Sequence, residues 1–217
     1  MENNTFTISQ NRSLRQWLFN PFQFIAGGKA LLLGIVIILA TAYIGSFGNT
    51  HFDGVLDVHT GQQSPVWLFF AEGIIDWLSI SIMLLIAAFI ISRSSFRIID
   101  IFGTQALARF PFFAAVFFTL PKGITRFGEY LSAKAMQQTP AVTLQSTDVV
   151  FFVLATVVIL VMLVWMVVLM YRAYAVSCNV KGGKAIGSFA VGLIIAEILS
   201  KLALWLVVTQ THIKLMR

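Results

Sequence analysis

The sequence predicts an all-α fold, a polytopic membrane bundle of about five transmembrane helices preceded by a short amphipathic amino-terminal segment. Two observations predict it. Hydrophobic residues make up 58% of the 217 and charged residues only 11%, a balance that leaves a soluble domain too little polar surface to face water. Five stretches, 30–47, 66–91, 98–120, 149–170 and 185–208, are long and apolar. A span needs roughly 20 mainly apolar residues, because each helical residue rises ~1.5 Å and the hydrocarbon core is ~30 Å thick. The length suits one such bundle with short loops, hence a single domain spanning 30–208.

The leader, 1–29, is polar and long rather than a short basic region followed directly by an apolar core, so the first span reads as a retained anchor. Within it Leu14, Trp17, Leu18 and Phe22 recur at helical spacing beside Arg12 and Arg15, with Asn20-Pro21 as a break. That pattern suits an amphipathic segment lying on the membrane interface. The third stretch reaches spanning length only if its helix begins in the more polar Ile98 to Gln105 segment. Pro111 and Pro121 bracket its apolar part, which predicts a kinked or interrupted helix; a re-entrant third segment is the alternative. Cys178 is the one cysteine, which excludes an intramolecular disulfide and a cysteine metal site. In the fifth stretch Gly183, Gly187 and Gly192 form a small-residue track of the kind that lets helices approach closely, within the chain or in a homo-oligomer. Residues 209–217 read as a short tail.

Lys and Arg concentrate on the cytoplasmic side of membrane proteins. Arg12, Arg15 and Lys29 precede the first span, whereas the loop from Gly48 to Pro65 has no Lys or Arg. This places the amino terminus in the cytoplasm and, after five crossings, the carboxyl terminus outside. Arg93, Arg97, Arg109, Arg172, Lys181 and Lys184 then fall inside, against Lys122, Arg126, Lys134, Lys214 and Arg217 outside. The formal net charge of +6 is scattered along these flanks rather than gathered in a stripe, so it points to topology and not to nucleic acid. The lipid bilayer is the primary partner, with a second copy or another membrane protein as further candidates. A P-loop, dinucleotide fingerprint, Gly-x-Ser-x-Gly elbow and His-Glu-x-x-His pair are all lacking, which points away from the familiar enzyme classes.

An ionisable group at the membrane centre costs at least ~2.5 kcal/mol on insertion scales, so those within the spans are informative. Glu72 and Asp76 lie four residues apart on one face of the second span, and Glu197 and Lys201 do so on the fifth. Glu197 and Lys201 can neutralise each other along their helix. Glu72 and Asp76 cannot, and two close carboxylates at low dielectric repel until a proton or a cation intervenes. One reading joins Glu72 or Asp76 to Lys201 across the bundle, in a polar cluster that fixes helix register. The other is a proton or cation site.

The first loop bears on the second reading. His51, Asp53, Asp57 and His59 are symmetric about Val55. A straight strand would separate the histidines by ~27 Å, whereas a hairpin turning through Gly54, Val55 and Leu56 sets Asp53 against Asp57 and His51 against His59. Two His and two Asp suit zinc or a similar divalent ion, and Glu72 and Asp76 can extend that set toward the membrane. The sequence requires no cofactor beyond this candidate ion.

Three segments, taken in order, resemble a known family. They are Trp17-Leu18-Phe19-Asn20-Pro21-Phe22; Phe102-Gly103-Thr104-Gln105-Ala106-Leu107-Ala108-Arg109-Phe110-Pro111; and Tyr171-Arg172-Ala173-Tyr174 running into Lys181-Gly182-Gly183-Lys184-Ala185. In order and spacing they resemble the YIP family (Ypt/Rab-interacting proteins) of five-span membrane proteins, and the short leader resembles its prokaryotic members. The resemblance implies a helical bundle with a cytosolic amino terminus, resident in a bacterial inner membrane. Its eukaryotic members look like adaptors or membrane-shaping factors. The expected function is thus a non-enzymatic membrane organiser or adaptor. The alternative is a small cation or metal transporter, or a metal-dependent membrane hydrolase, using the first loop and the carboxylates of the second span.

Overall fold

The computed structural model describes residues 13–61 and 63–215, with side chains to Thr209. Helix α1, Leu14–Phe19, opens with a capping box in which Ser13 and Gln16 exchange side-chain and backbone hydrogen bonds, so two donors at the helix start are satisfied locally. Asn20 ends it, and a single 3₁₀ turn at Pro21–Gln23 buries Phe22 in the core. The leader is therefore helical over Leu14–Phe19, with the break where Asn20-Pro21 puts it and Phe22 beyond the helix. Arg12 lies outside the described residues.

Five helical segments are long and apolar enough to cross a membrane: Gly27–Phe47, Val66–Ile91, Ile98–Thr119, Ser146–Ser177 and Gly182–Thr209. The first two are α2, Gly27–Phe47, and α3, Val66–Ile91. The third is broken into α4, Ile98–Leu107, then α5, Phe110–Ala115, then a 3₁₀ turn at Val116–Thr119. The break falls at Ala108-Arg109, just before Pro111, whose missing N–H and ring cannot be carried in a continuous helix. The fourth and fifth spans belong to α7, Ser146–Ser177, and α8, Gly182–Leu215. Both are longer than their apolar stretches, so 149–170 and 185–208 understate the helices. Most of the tail expected at 209–217 continues α8.

The third segment is not re-entrant. It lies alongside α2 over the whole length of that helix: a Cβ on Gly103 would lie 2.6 Å from the Gly27 carbonyl oxygen, one on Gly45 would lie 3.6 Å from Val116, and one on Gly48 would lie 3.2 Å from the Thr119 carbonyl oxygen. Residues of the family-like middle segment serve this packing. Thr104 meets Ser177 at 2.9 Å, Gln105 donates to the Met170 carbonyl at 2.9 Å, and Trp77 donates to the Phe102 carbonyl at 2.9 Å. The third segment is 61% buried across its apolar window and α7 only 17%: α2, α3 and α7 pack around the former, α8 packs on α3, and α7 faces lipid over most of its circumference.

Two further elements lie outside the spans. The loop after α2 forms a hairpin of two-residue strands, β1 Thr50–His51 and β2 His59–Thr60, paired antiparallel with Thr50 opposite Thr60 and His51 opposite His59. After the third span, Pro121 starts a separate helix, α6, Lys122–Ala135, which the sequence reading treats as loop. Ile124 is buried, Phe127 lies 4.4 Å from Phe152 of α7, and Arg126 reaches Asp148 at 3.4 Å.

Candidate functional site

The hairpin is folded down onto the bundle rather than held out as a solvated loop. Thr50, His51, Phe52 and Val55 are buried, and Thr50 bonds Thr119 at the end of the third span at 2.7 Å. Phe52 packs on Phe112 with ring centres 5.1 Å apart. Hydrophobic anchoring by Phe52 and Val55 therefore brings the polar hairpin residues to the ends of α3 and α8.

There the ionisable groups sort into three sets. His51 Nδ1 lies 2.7 Å from Glu72 Oε1, and the Phe52 backbone N–H donates to Glu72 Oε2 at 3.1 Å. Both oxygens of this buried carboxylate are thus occupied by the hairpin, while the His51 ring stacks on Phe69 at 4.5 Å. Glu72 holds the hairpin to α3.

The second set is on the surface. His59 Nδ1 is 3.3 Å from Asp53 Oδ1 and 4.0 Å from Asp57 Oδ1. Asp57 Oδ2 turns the other way to Lys201, which also lies 3.7 Å from Glu197 Oε1. Glu197 Oε2 accepts the Leu56 backbone N–H at 2.9 Å, so α8 grips the turn of the hairpin from the opposite side to α3. The close contact with Asp53 raises the pKa of His59, and the same contact lowers that of Asp53, each against partial desolvation. A cavity of ≈ 400 Å³, lined among others by His51, Asp53, His59, Glu72, Lys201 and Trp205, opens beside this set.

The third set lies deeper. Arg109 Nη2 donates to Asp76 Oδ2 at 3.3 Å, with both side chains buried between α3 and the break in the third span. Among the described residues, Asp76 Oδ1 and Arg109 Nη1 carry no hydrogen bond. The space beside Arg109, lined by Ile38, Thr41, Phe69 and Phe112 among others, is ≈ 20 Å³, about the size of one water.

This arrangement corrects the single intramembrane cluster expected from Glu72, Asp76, Glu197 and Lys201. Lys201 pairs with Glu197 and Asp57, and neither Glu72 nor Asp76 is its partner. Glu72 takes His51 and Asp76 takes Arg109, because the folded-down hairpin and the helix break supply nearer partners. The positive-inside pattern puts Arg109 on a cytoplasmic flank, whereas it is buried against Asp76; a charge within an apolar stretch is itself the signal for a buried carboxylate partner. The six-residue metal set is likewise reduced. Asp53, Asp57 and His59 bring ligand atoms within 4.8 Å of one another, whereas His51, Glu72 and Asp76 are engaged elsewhere.

The glycine track divides too. Gly192 meets Leu84 of α3, where a Cβ would lie 3.0 Å away, but a Cβ on Gly183 or Gly187 would meet nothing within 4 Å. Gly183 and Gly187 therefore give no close helix approach among the described residues. The chain matches no protein-family model, no curated protein and no solved structure.

Proposed function

We propose that this chain is a non-enzymatic membrane organiser of the YIP type, acting in a bacterial inner membrane with its amino terminus in the cytoplasm. The observation that carries the reading is the pair of short helices fastened to α7, one partway along it and one at its start. Partway along α7, Trp165 donates to the Leu18 carbonyl at 2.9 Å and its ring lies 6.5 Å from Phe19. At its start, α6 is held to α7 through Phe127 and Arg126. Each presents exposed apolar side chains, Leu14, Trp17 and Leu18 in α1 and Leu131 in α6, beside basic ones. Helices of this kind bury an apolar face ~5–10 Å into the headgroup boundary. Fixed to a bundle, they displace lipid at defined points around it.

The charge distribution supports the orientation. The end that carries α1 also carries Arg15, Lys29, Arg93, Arg97, Arg172, Lys181 and Lys184, with Asp100 as the acidic residue beside them among the described residues. At the hairpin end, Lys122, Arg126, Lys134, Lys201 and Lys214 are offset by Asp53, Asp57, Glu72, Glu129, Asp148 and Glu197. The basic excess at the first end fits the cytoplasmic side.

Reconstitution into vesicles containing anionic lipid tests the reading. The expected result is vesicles smaller or more tubular than those holding a five-span control at equal density. Trp17→Ala with Leu18→Ala, or Phe127→Ala with Leu131→Ala, should diminish that effect while the bundle stays folded. Vesicles identical to the control would refute the organiser reading. Single-cysteine labelling in a Cys178→Ala background, at Ser13 and at Gly61, tests the orientation separately.

A further inference from the structure

We propose that Asp53, Asp57 and His59 form a binding site for one divalent cation of the zinc class, set into the hairpin. The inference is independent of the organiser function. Three donor atoms are gathered here: His59 Nδ1 lies 3.3 Å from Asp53 Oδ1 and 4.0 Å from Asp57 Oδ1. Zinc binds imidazole nitrogen and carboxylate oxygen at about 2.0–2.2 Å, so neighbouring ligand atoms around it stand roughly 3–4 Å apart. His59 Nδ1 already has that spacing to each carboxylate, and ligand atoms of the three residues lie within 4.8 Å of one another. An imidazole with two carboxylates is a donor set suited to first-row divalent ions.

The supporting residues hold each ligand in place. Asp57 uses Oδ2 for Lys201 and keeps Oδ1 toward His59. Lys201 is in turn held near Glu197, which also fixes the turn through the Leu56 N–H. The ring of His59 stacks on that of His51, with centres 5.6 Å apart and planes 21° apart, and His51 is itself locked to Glu72. Such outer partners orient metal ligands and are a regular part of metal sites. The ligands thus come from a hairpin fastened to α3 and α8 rather than from a freely moving loop.

Two further observations point to a cation. Asp53, Asp57, Glu72 and Glu197 crowd this end, and Lys201 is the permanently charged basic side chain lining the cavity beside them. A bound dication offsets the surplus. The cavity of ≈ 400 Å³, lined in part by Asp53 and His59, supplies room for water or a small anion at a fourth position, as three-ligand zinc sites require.

The test is zinc titration of detergent-purified full-length protein stripped with a chelator, read by competition with a chromophoric zinc indicator. X-ray absorption at the zinc edge of the loaded wild type provides a second measurement that needs no variant. We expect one zinc per chain, bound through one imidazole and oxygen ligands, and at least tenfold weaker binding in His59→Ala and in Asp53→Asn with Asp57→Asn. Variants are compared only where their elution and helical circular dichroism match the wild type. Absence of zinc binding by the wild type, equal affinity in folded variants, or a spectrum with sulfur or several imidazoles would each overturn the site.

Discussion

Asp76 and Arg109 meet at 3.3 Å between the second span and the break in the third, and both are buried. Asp76 lies on a continuous helix, while Arg109 sits at the interruption that Pro111 imposes. The broken third span is therefore the means by which a guanidinium reaches a carboxylate inside an apolar bundle.

Removing either partner leaves an uncompensated charge, at a cost of about 3–5 kcal/mol. Asp76→Ala and Arg109→Ala are each expected to lose most of that margin in reversible unfolding from detergent. Asp76→Leu combined with Arg109→Met should recover much of it, because well-packed apolar replacements of buried pairs are often neutral. If Arg109→Ala unfolds as the wild type does, the pair is not holding the bundle.

Glu72 gives a second, more local prediction. Glu72→Gln removes the negative charge from the bonds to His51 Nδ1 and the Phe52 N–H, and hydrogen bonds to charged groups contribute about 1.5–3 kcal/mol. The hairpin should then open as a separate low-stability unit. Hydrogen exchange would speed up at Thr50 through Thr60 and stay unchanged in α2 and α7. Uniform acceleration throughout would mean that Glu72 supports the whole bundle instead.

The spans were legible because hydrocarbon solvent demands long apolar helices, and the hairpin because His51, Asp53, Asp57 and His59 are symmetric about Val55. The pairing of charges was not, since it depends on which helices become neighbours. Lys201 and Asp57 are 144 residues apart, and so nothing in either local pattern links them. Helix α6 was missed for another reason. It is too polar to span, and three apolar residues along two turns, Ile124, Phe127 and Leu131, are a weak signal until Phe152 is there to receive them.

The hairpin should also respond to pH. The pKa of His59 is raised from 6.5, so its contribution is complete below 6.5 and is lost as pH rises through the higher folded value. That of Asp53 is lowered from 3.8, so its contribution is complete above 3.8 and is lost as pH falls through the lower folded value. In chelator, amide protection of the hairpin, corrected for intrinsic exchange, should be greatest between those limits and weaken toward alkaline pH. His59→Gln should flatten the alkaline limb. An unchanged limb in that variant would assign the dependence to another group.

Two glycines separate packing from propensity. Gly34 lies where α2 crosses α4, and a Cβ there would collide with Ala106 and come within 2.5 Å of the Leu107 nitrogen, which is backbone and cannot swing aside. Gly187 of α8 faces open space. Replacing a helical glycine by alanine gains up to about 1 kcal/mol of helix propensity, whereas overpacking typically costs about 1–3 kcal/mol. Gly34→Ala should therefore lower the unfolding midpoint and Gly187→Ala should raise it slightly or leave it unchanged. A destabilised Gly187→Ala whose apparent mass also falls in detergent would instead reveal a close contact with a second copy, because no described residue of this chain stands where the new methyl would lie.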